Sequence, residues 1–268
     1  MERFKLDRAN PSKLPIPAGT VLKRSDESQD QGNASQPLEP TEIQVYQQIV
    51  GSLIYLSNGT RIDLCYATGQ LARHIANPTI RYLQLAKQAL RYLQGTTNYG
   101  ITYDQPLLPQ SNAYKLYSDA TWGTEEDRAS FQGWAVLRSG GAISWISQRQ
   151  KSTALSSMEA EFIAASEASR EAAWLEKLTG DLNEVFDIPP VLYCDNLGTI
   201  DLIHDHKFHS KAKHIDIRCN FIRNDMLEKG RLTVEHIAGT DQPADILTKQ
   251  LPIEQYKTHL RTLGIREA

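Results

Sequence analysis

Four acids in this chain have the side-chain type and the placement that phosphodiester hydrolysis asks for: Asp119, Glu161, Asp195 and Asp245. The reaction needs a water made nucleophilic and a leaving oxygen kept from building free charge. Two Mg²⁺ ions about 4 Å apart supply both. Mg²⁺ prefers oxygen ligands, takes a few carboxylates and keeps water and phosphate in its other positions. The expected signature is several acids at strand ends and on an adjoining helix. Asp119 ends an alternating stretch, Glu161 lies on the helix that follows, Asp195 closes a short apolar strand and Asp245 opens a last helix. By spacing alone the set does not stand out among 32 acids. For each acid taken singly, a solvated surface carboxylate or a helix cap is the alternative.

The elements that must position these acids follow from the pattern. Residues 114–119 alternate as a strand should, and residues 131–138 and 142–147 add two strands joined by the turn Ser139-Gly140-Gly141, which predicts an antiparallel meander. Residues 156–168 and 172–182 read as two helices, 191–194 as a buried strand, 197–204 and 215–227 as helices and 231–237 as a strand. Residues 243–249 read as a helix with Pro243 in its first turn. Three antiparallel strands followed by strand–helix alternation predict an α/β fold, a mixed sheet flanked by helices.

Upstream, residues 41–57 begin with the capping-box pattern Thr41-Glu42-Ile43-Gln44. Residues 61–76 form a second amphipathic stretch stopped by Asn77-Pro78, and residues 79–93 a third closed by Gly95. Three such helices with short joints predict a small bundle. Residues 1–40 hold Pro11, Pro15, Pro17, Pro37 and Pro40 among many polar residues and read as an extended or disordered leader.

Composition adds limits. The net charge of −3 leaves no global basic field, so contacts to a polyanion must come from local clusters. Cys65, Cys194 and Cys219 are odd in number and form no C-x-x-C, which reads as reduced core thiols of an intracellular protein. Residues 1–10 carry both charge signs and lack the apolar region of a signal peptide. No apolar run approaches the ~18 residues that span a bilayer, so no membrane partner is expected.

The wording around the acids is more specific than their spacing. Tyr117-Ser118-Asp119-Ala120-Thr121-Trp122-Gly123, Gly141-Ala142-Ile143-Ser144-Trp145 with Gln148-Arg149-Gln150-Lys151, and Leu155-Ser156-Ser157-Met158-Glu159-Ala160-Glu161-Phe162 resemble successive motifs of the ribonuclease H domain in Ty1/copia-type retrotransposon Pol polyproteins. So do Tyr193-Cys194-Asp195-Asn196, Lys213-His214-Ile215-Asp216-Ile217-Arg218 and Ala244-Asp245-Ile246-Leu247-Thr248-Lys249. Six ordered motifs cover roughly 140 residues. Further upstream, Tyr46 to Leu56, Asn77-Pro78-Thr79 and Leu90 to Thr96 are similar to the stretch that follows the polymerase palm in the same polyproteins.

The resemblance implies a ribonuclease H-like five-stranded mixed sheet over residues 110–253, preceded by a helical thumb/connection region over 41–105 and followed by a tail over 254–268. It implies an endoribonuclease that cleaves the RNA strand of RNA–DNA hybrids during reverse transcription. Asp119, Glu161, Asp195 and Asp245 would hold two Mg²⁺ ions, with Mn²⁺ as a substitute and no small-molecule cofactor. The implied partners are the hybrid and the palm and fingers of the same reverse transcriptase. The implied location is intracellular, in a cytoplasmic virus-like particle and in the nucleus. The polymerase's own Tyr-x-Asp-Asp turn is absent, so no polymerase activity is expected. The alternative is a catalytically idle, element-derived nucleic-acid-binding module. An integrase-like nuclease would need a D,D-35-E pattern and a zinc-binding segment, and neither is visible.

Glu159 and Glu161 both lie in the helix motif, about 200° apart on a helix, so only one can face the site. The pattern of Ala-Glu before a large apolar residue selects Glu161. Thr121 stands where the family often has a second Asp, which leaves the catalytic position untouched.

His204, His206, His209 and His214 lack the paired spacing of a zinc site. His214 with Lys207, Lys211, Lys213, Arg218 and Arg223 reads as a set of phosphate contacts or, equally, as a solvated charged surface. Arg81, Lys87 and Arg91 form a similar stripe on the third helix of the bundle, with the same alternative. His236, the nearest candidate for a histidine that assists product release, falls within a strand and reads as structural.

Overall fold

The computed structural model describes residues 4, 6, 9–20, 22, 36–104, 114–123, 129–184, 188–205 and 213–267. Alternating apolar residues lay down the predicted meander: β2 (Lys115–Thr121), β3 (Phe131–Arg138) and β4 (Gly141–Arg149), paired antiparallel. β5 (Val191–Cys194) and β6 (Thr233–His236) join parallel to β2, giving the order β4-β3-β2-β5-β6. This is the mixed five-stranded sheet that the sequence predicts.

Alternation along the strands divides the apolar side chains between two faces. Leu116, Trp134, Val136 and Leu192 face one core with α4 (Ser157–Asp181), α5 (Leu197–His204) and the π-helix Phe221–Leu227 that continues α6 (Lys213–Asn220). Tyr117, Phe131, Ala135 and Leu137 face the other core, which is shared with the helical bundle. The two helices expected over 156–182 are a single helix. Ser169-Arg170-Glu171 interrupts the apolar stripe but holds no Gly or Pro, and Ser169 Oγ returns to the Ala165 carbonyl at 2.8 Å.

The bundle consists of α1 (Pro40–Gly59), the 3₁₀ turn Ile62–Leu64 with α2 (Cys65–Ala72), and α3 (Ile80–Gly95). It shares an apolar core with the sheet: Ile49, Leu53, Leu64, Leu71 and Ala86 belong to one cluster with Ala135, Leu247 and Leu251. Trp145 Nε1 donates to the Ser57 carbonyl at 2.8 Å, tying β4 to α1. The described parts of the leader are bends and turns packed on the bundle: Ile16 and Leu22 are fully buried, and Ser12 N donates to the Arg91 carbonyl.

The stretch expected as a tail is instead α7 (Ile253–Thr262) and β7 (Ile265–Glu267), with β7 pairing antiparallel to β1 (Tyr99–Ile101). Tyr256 reaches into the bundle, where its hydroxyl donates to the Asp63 carbonyl at 2.7 Å. The Asp63 carboxylate there accepts from Arg61 and Tyr92, each at 2.7 Å. Gly264, at φ +80°, makes the turn into β7. A Cβ there would lie 2.6 Å from Gly141 Cα, so the turn needs glycine both for its conformation and for its space. Among the described residues no helix is long and apolar enough to cross a membrane.

Candidate metal centre

The parallel pairing of β2 with β5 sets the first two acids side by side. Tyr117 lies opposite Tyr193, and two residues further along each strand come Asp119 and Asp195. Asn196 then turns the chain into α5 by accepting from Thr199 N at 2.9 Å. Asp245 arrives on the 3₁₀ helix Pro243–Leu247, where a full α-helical segment was expected. Gln242, at its N-cap, donates through Nε2 to the carbonyls of Ser118 (3.0 Å) and Tyr193 (3.4 Å), and so pins the turn across β2 and β5. Ser147 Oγ holds it to β4 through the Leu247 carbonyl at 2.6 Å. Gly133, opposite Asp119 on β3, leaves the room: a Cβ there would collide with Leu247 Cβ and lie 3.1 Å from Thr248 Cγ2.

The result is a set of three carboxylates, Asp119, Asp195 and Asp245, whose nearest oxygens all lie within 4.8 Å of one another. Glu161 comes from the first turns of α4 and is buried beside them. Its Oε2 has no hydrogen-bond partner. Glu159 is spent on the helix start: its Oε2 accepts from Leu155 N at 2.8 Å, and its own N–H donates to Ser156 Oγ at 3.1 Å. The two glutamates thus serve different ends of the same turn.

Electrostatics reflect the crowding. Burial, then the charges of Asp119 and Asp195, push the Glu161 carboxyl well above the usual range. Burial and the Asp119 charge push Asp245 up to about 7 and raise Asp195 as well. Glu161, Asp195 and Asp245 are harder to ionise because carboxylates are close by and water is partly excluded. A cation among them would remove that penalty. The donor set is made of carboxylate oxygens, the ligands a hard divalent ion takes, and Glu161 offers a further buried oxygen with no partner. The residues therefore fit a divalent metal.

Thr248 and Lys249 also converge here, though the sequence reading took only Asp245 from their motif. Thr248 Oγ donates to Asp119 Oδ2. Lys249 Nζ lies 2.8 Å from Asp245 Oδ1 and 3.8 Å from Asp119 Oδ2.

Several of the basic residues are engaged within the protein. Arg218 is paired with Glu167 at 2.7 Å, and Arg91 Nε donates to the Asn10 carbonyl at 2.6 Å. Arg223 is buried and donates to the carbonyls of Ile203 and Leu202, closing the end of α5 in place of a phosphate contact. Lys87 is exposed on α3, and Arg81 is half-buried there. Lys213 and His214 start α6, while Lys207 and Lys211 lie outside the described residues. His236 is exposed at the end of β6, opposite Cys194, and its charge reaches Asp195. The three cysteines are buried and form no disulfide.

No family model matches the chain. It is 40% identical over 230 residues to the retrovirus-related Pol polyprotein from transposon RE1 of Arabidopsis thaliana, an alignment covering 85% of this chain and 15% of that polyprotein. It is 34% identical over 271 aligned positions to the Pol polyprotein from transposon TNT 1-94 of Nicotiana tabacum, covering 99% of this chain and 19% of the relative. The chain thus spans less than a fifth of the length of these curated relatives. Among solved structures it is similar to LC11-RNase H1 isolated from compost, at 17% identity and a TM-score of 0.39, covering 51% of this chain and 92% of that one. With identities of 34–40% spread over most of its length, the chain belongs to the Ty1/copia-type Pol polyproteins of retrotransposons.

Proposed function

We propose that this chain is a ribonuclease H that cleaves the RNA strand of RNA–DNA hybrids during retrotransposon reverse transcription. The observation that carries this reading is the convergence of Asp119, Asp195 and Asp245, with Glu161 beside them, at one end of the sheet. These four residues would hold two Mg²⁺ ions, or Mn²⁺ in their place. Such ions, when bound, supply an activated water and compensate the charge building on the leaving oxygen. Asp119 sits centrally, with one oxygen fixed by Thr248. Asp195 comes from the end of β5 and Asp245 from the 3₁₀ turn pinned across β2 and β5, and Glu161 brings an unpartnered oxygen from α4.

The hybrid would lie across this end of the sheet, its backbone touching local cations, with Lys87 and Arg81 on α3, Lys213 and His214 at the start of α6 and Lys211 two residues earlier in sequence as candidates. The palm and fingers of the same polyprotein are the proposed protein partner, and the proposed setting is intracellular. The test is cleavage of a labelled RNA–DNA hybrid in Mg²⁺ beside RNA–RNA and DNA–DNA duplexes. Selective scission of the RNA strand in the hybrid supports the reading. Hybrid binding without scission in either Mg²⁺ or Mn²⁺ would make the chain a binding module instead.

A further inference from the structure

The motif that delivers Asp245 also delivers a cation. Lys249 N donates to the Asp245 carbonyl at 3.0 Å, which closes one turn and brings the two side chains to the same side. The ammonium then contacts Asp245 at 2.8 Å and reaches Asp119 at 3.8 Å. Both carboxylates are almost fully buried, while the lysine side chain is 41% exposed, with an open route to solvent. Among the described residues, the ion pairs made by the acid cluster all involve Lys249. Clustered carboxylates without a counter-charge repel one another strongly at partial screening. The structure therefore balances them in part from within.

We propose that Lys249 is the built-in counter-cation of the cluster, holding Asp119 and Asp245 together while no divalent ion is bound and swinging out to solvent when one enters. The proposal rests on reading the cluster as a divalent-metal site. A lysine suits the part: its ammonium is a compact, strongly hydrated charge on a flexible stem, so it leaves for water at little cost. A divalent ion brings twice the charge and binds several carboxylates at once, so it displaces a single ammonium. The consequence is a metal affinity weaker than the bare acids would give, together with acids that are already gathered when the ion arrives.

The experiment uses the full chain with Lys249→Met, which keeps the stem, and Lys249→Arg, which keeps the charge. Two quantities are read at pH 8: the thermal midpoint in excess chelator, and the Mg²⁺ and Mn²⁺ dissociation constants by titration calorimetry. Lys249→Met should lower the metal-free midpoint by about 5 °C, as expected for leaving two buried carboxylates without their counter-charge in a chain of this size. It should also tighten Mg²⁺ binding by about tenfold, because one nearby positive charge has been removed. Lys249→Arg should keep the metal-free midpoint within about 1 °C of wild type. In an Asp245→Asn background, Lys249→Met should lose at least half of its effect on the midpoint, which separates charge pairing from packing of the stem. Wild-type protein that binds Mg²⁺ with an affinity unchanged or weakened by Lys249→Met would overturn the displacement alone. No uptake of Mg²⁺ or Mn²⁺ by wild type and variant alike would overturn the metal reading, and the proposal with it.

Discussion

Gly133 and Leu247 occupy the same space: the missing side chain of one on β3 is the seat of the other on the turn that carries Asp245. Gly133→Ala should therefore push that turn off the sheet. We expect a loss of about 2 kcal/mol in stability, the usual cost of overpacking. Hybrid cleavage should fall about a hundredfold, because the last acid shifts by the better part of an ångström. Denaturant unfolding and single-turnover cleavage would measure the two effects, and an alanine variant with wild-type cleavage would contradict this account of how Asp245 is placed.

Asp119→Asn should abolish hybrid cleavage and leave the fold intact. The amide oxygen can still accept from Thr248, and the substitution relieves repulsion with Asp195, Asp245 and Glu161. The metal-free midpoint should equal or exceed that of wild type. Near wild-type turnover in Mg²⁺ would refute the assignment.

The two glutamates of α4 should separate cleanly. Glu161→Gln removes a buried oxygen beside the acids and should lower cleavage by about a hundredfold or more. Glu159→Gln weakens the helix start and should cost about 1 kcal/mol of stability with cleavage kept within a few-fold. The reverse ranking would place the wrong glutamate at the metals.

Stability without metal should fall as pH rises. Asp245 is pushed up to about 7, and Asp195 and Glu161 are also raised. The folded state then binds more protons than the unfolded one between the ordinary carboxylate range and pH 7. The associated stability is fully present below about pH 4 and is lost as pH climbs through 7. Lys249, whose pKa is raised by Asp119 and Asp245 against the opposing pull of burial, stays charged throughout this window and does not reverse the sign. Mg²⁺ should restore the loss, so the gain in midpoint on adding Mg²⁺ should grow from pH 5 to pH 8. A gain independent of pH would show that the acids are ionised without the metal.

Residues 110–268 expressed alone should not fold cooperatively. The fragment would expose Phe131, Ala135, Leu247, Leu251 and Tyr256, which are buried against the bundle, and would leave β7 without β1. A sharp two-state transition in the fragment would show that the sheet has a sufficient core of its own.

These contrasts mark what can be read from sequence. The meander was legible because Leu116, Trp134 and Val136 alternate with residues of the other face over seven or more positions. β1 and β7 were not, since three residues carry no period and each exists only through the other. The acids stood out through the words around them. Gly133, Gln242 and Thr248 did not, because their roles depend on a close approach between segments more than a hundred residues apart. Lys249 lay in plain view within a motif read for a single acid. Ile16 and Leu22 were lost among the polar and proline residues of the leader, where nothing local announces a buried side chain.

The shared level of Asp119 and Asp195 has one more consequence. Side chains on a strand alternate between faces, so a slip of one residue in β5 would bring Asn196 to the site and turn Asp195 away. Substitutions can wear this centre down by degrees, but a single inserted or deleted residue inside β2 or β5 erases it in one event. The loops that carry none of the acids have no such constraint and can change length at small thermodynamic cost. Heritable change in this chain is thus graded in its loops and all-or-none in its two middle strands.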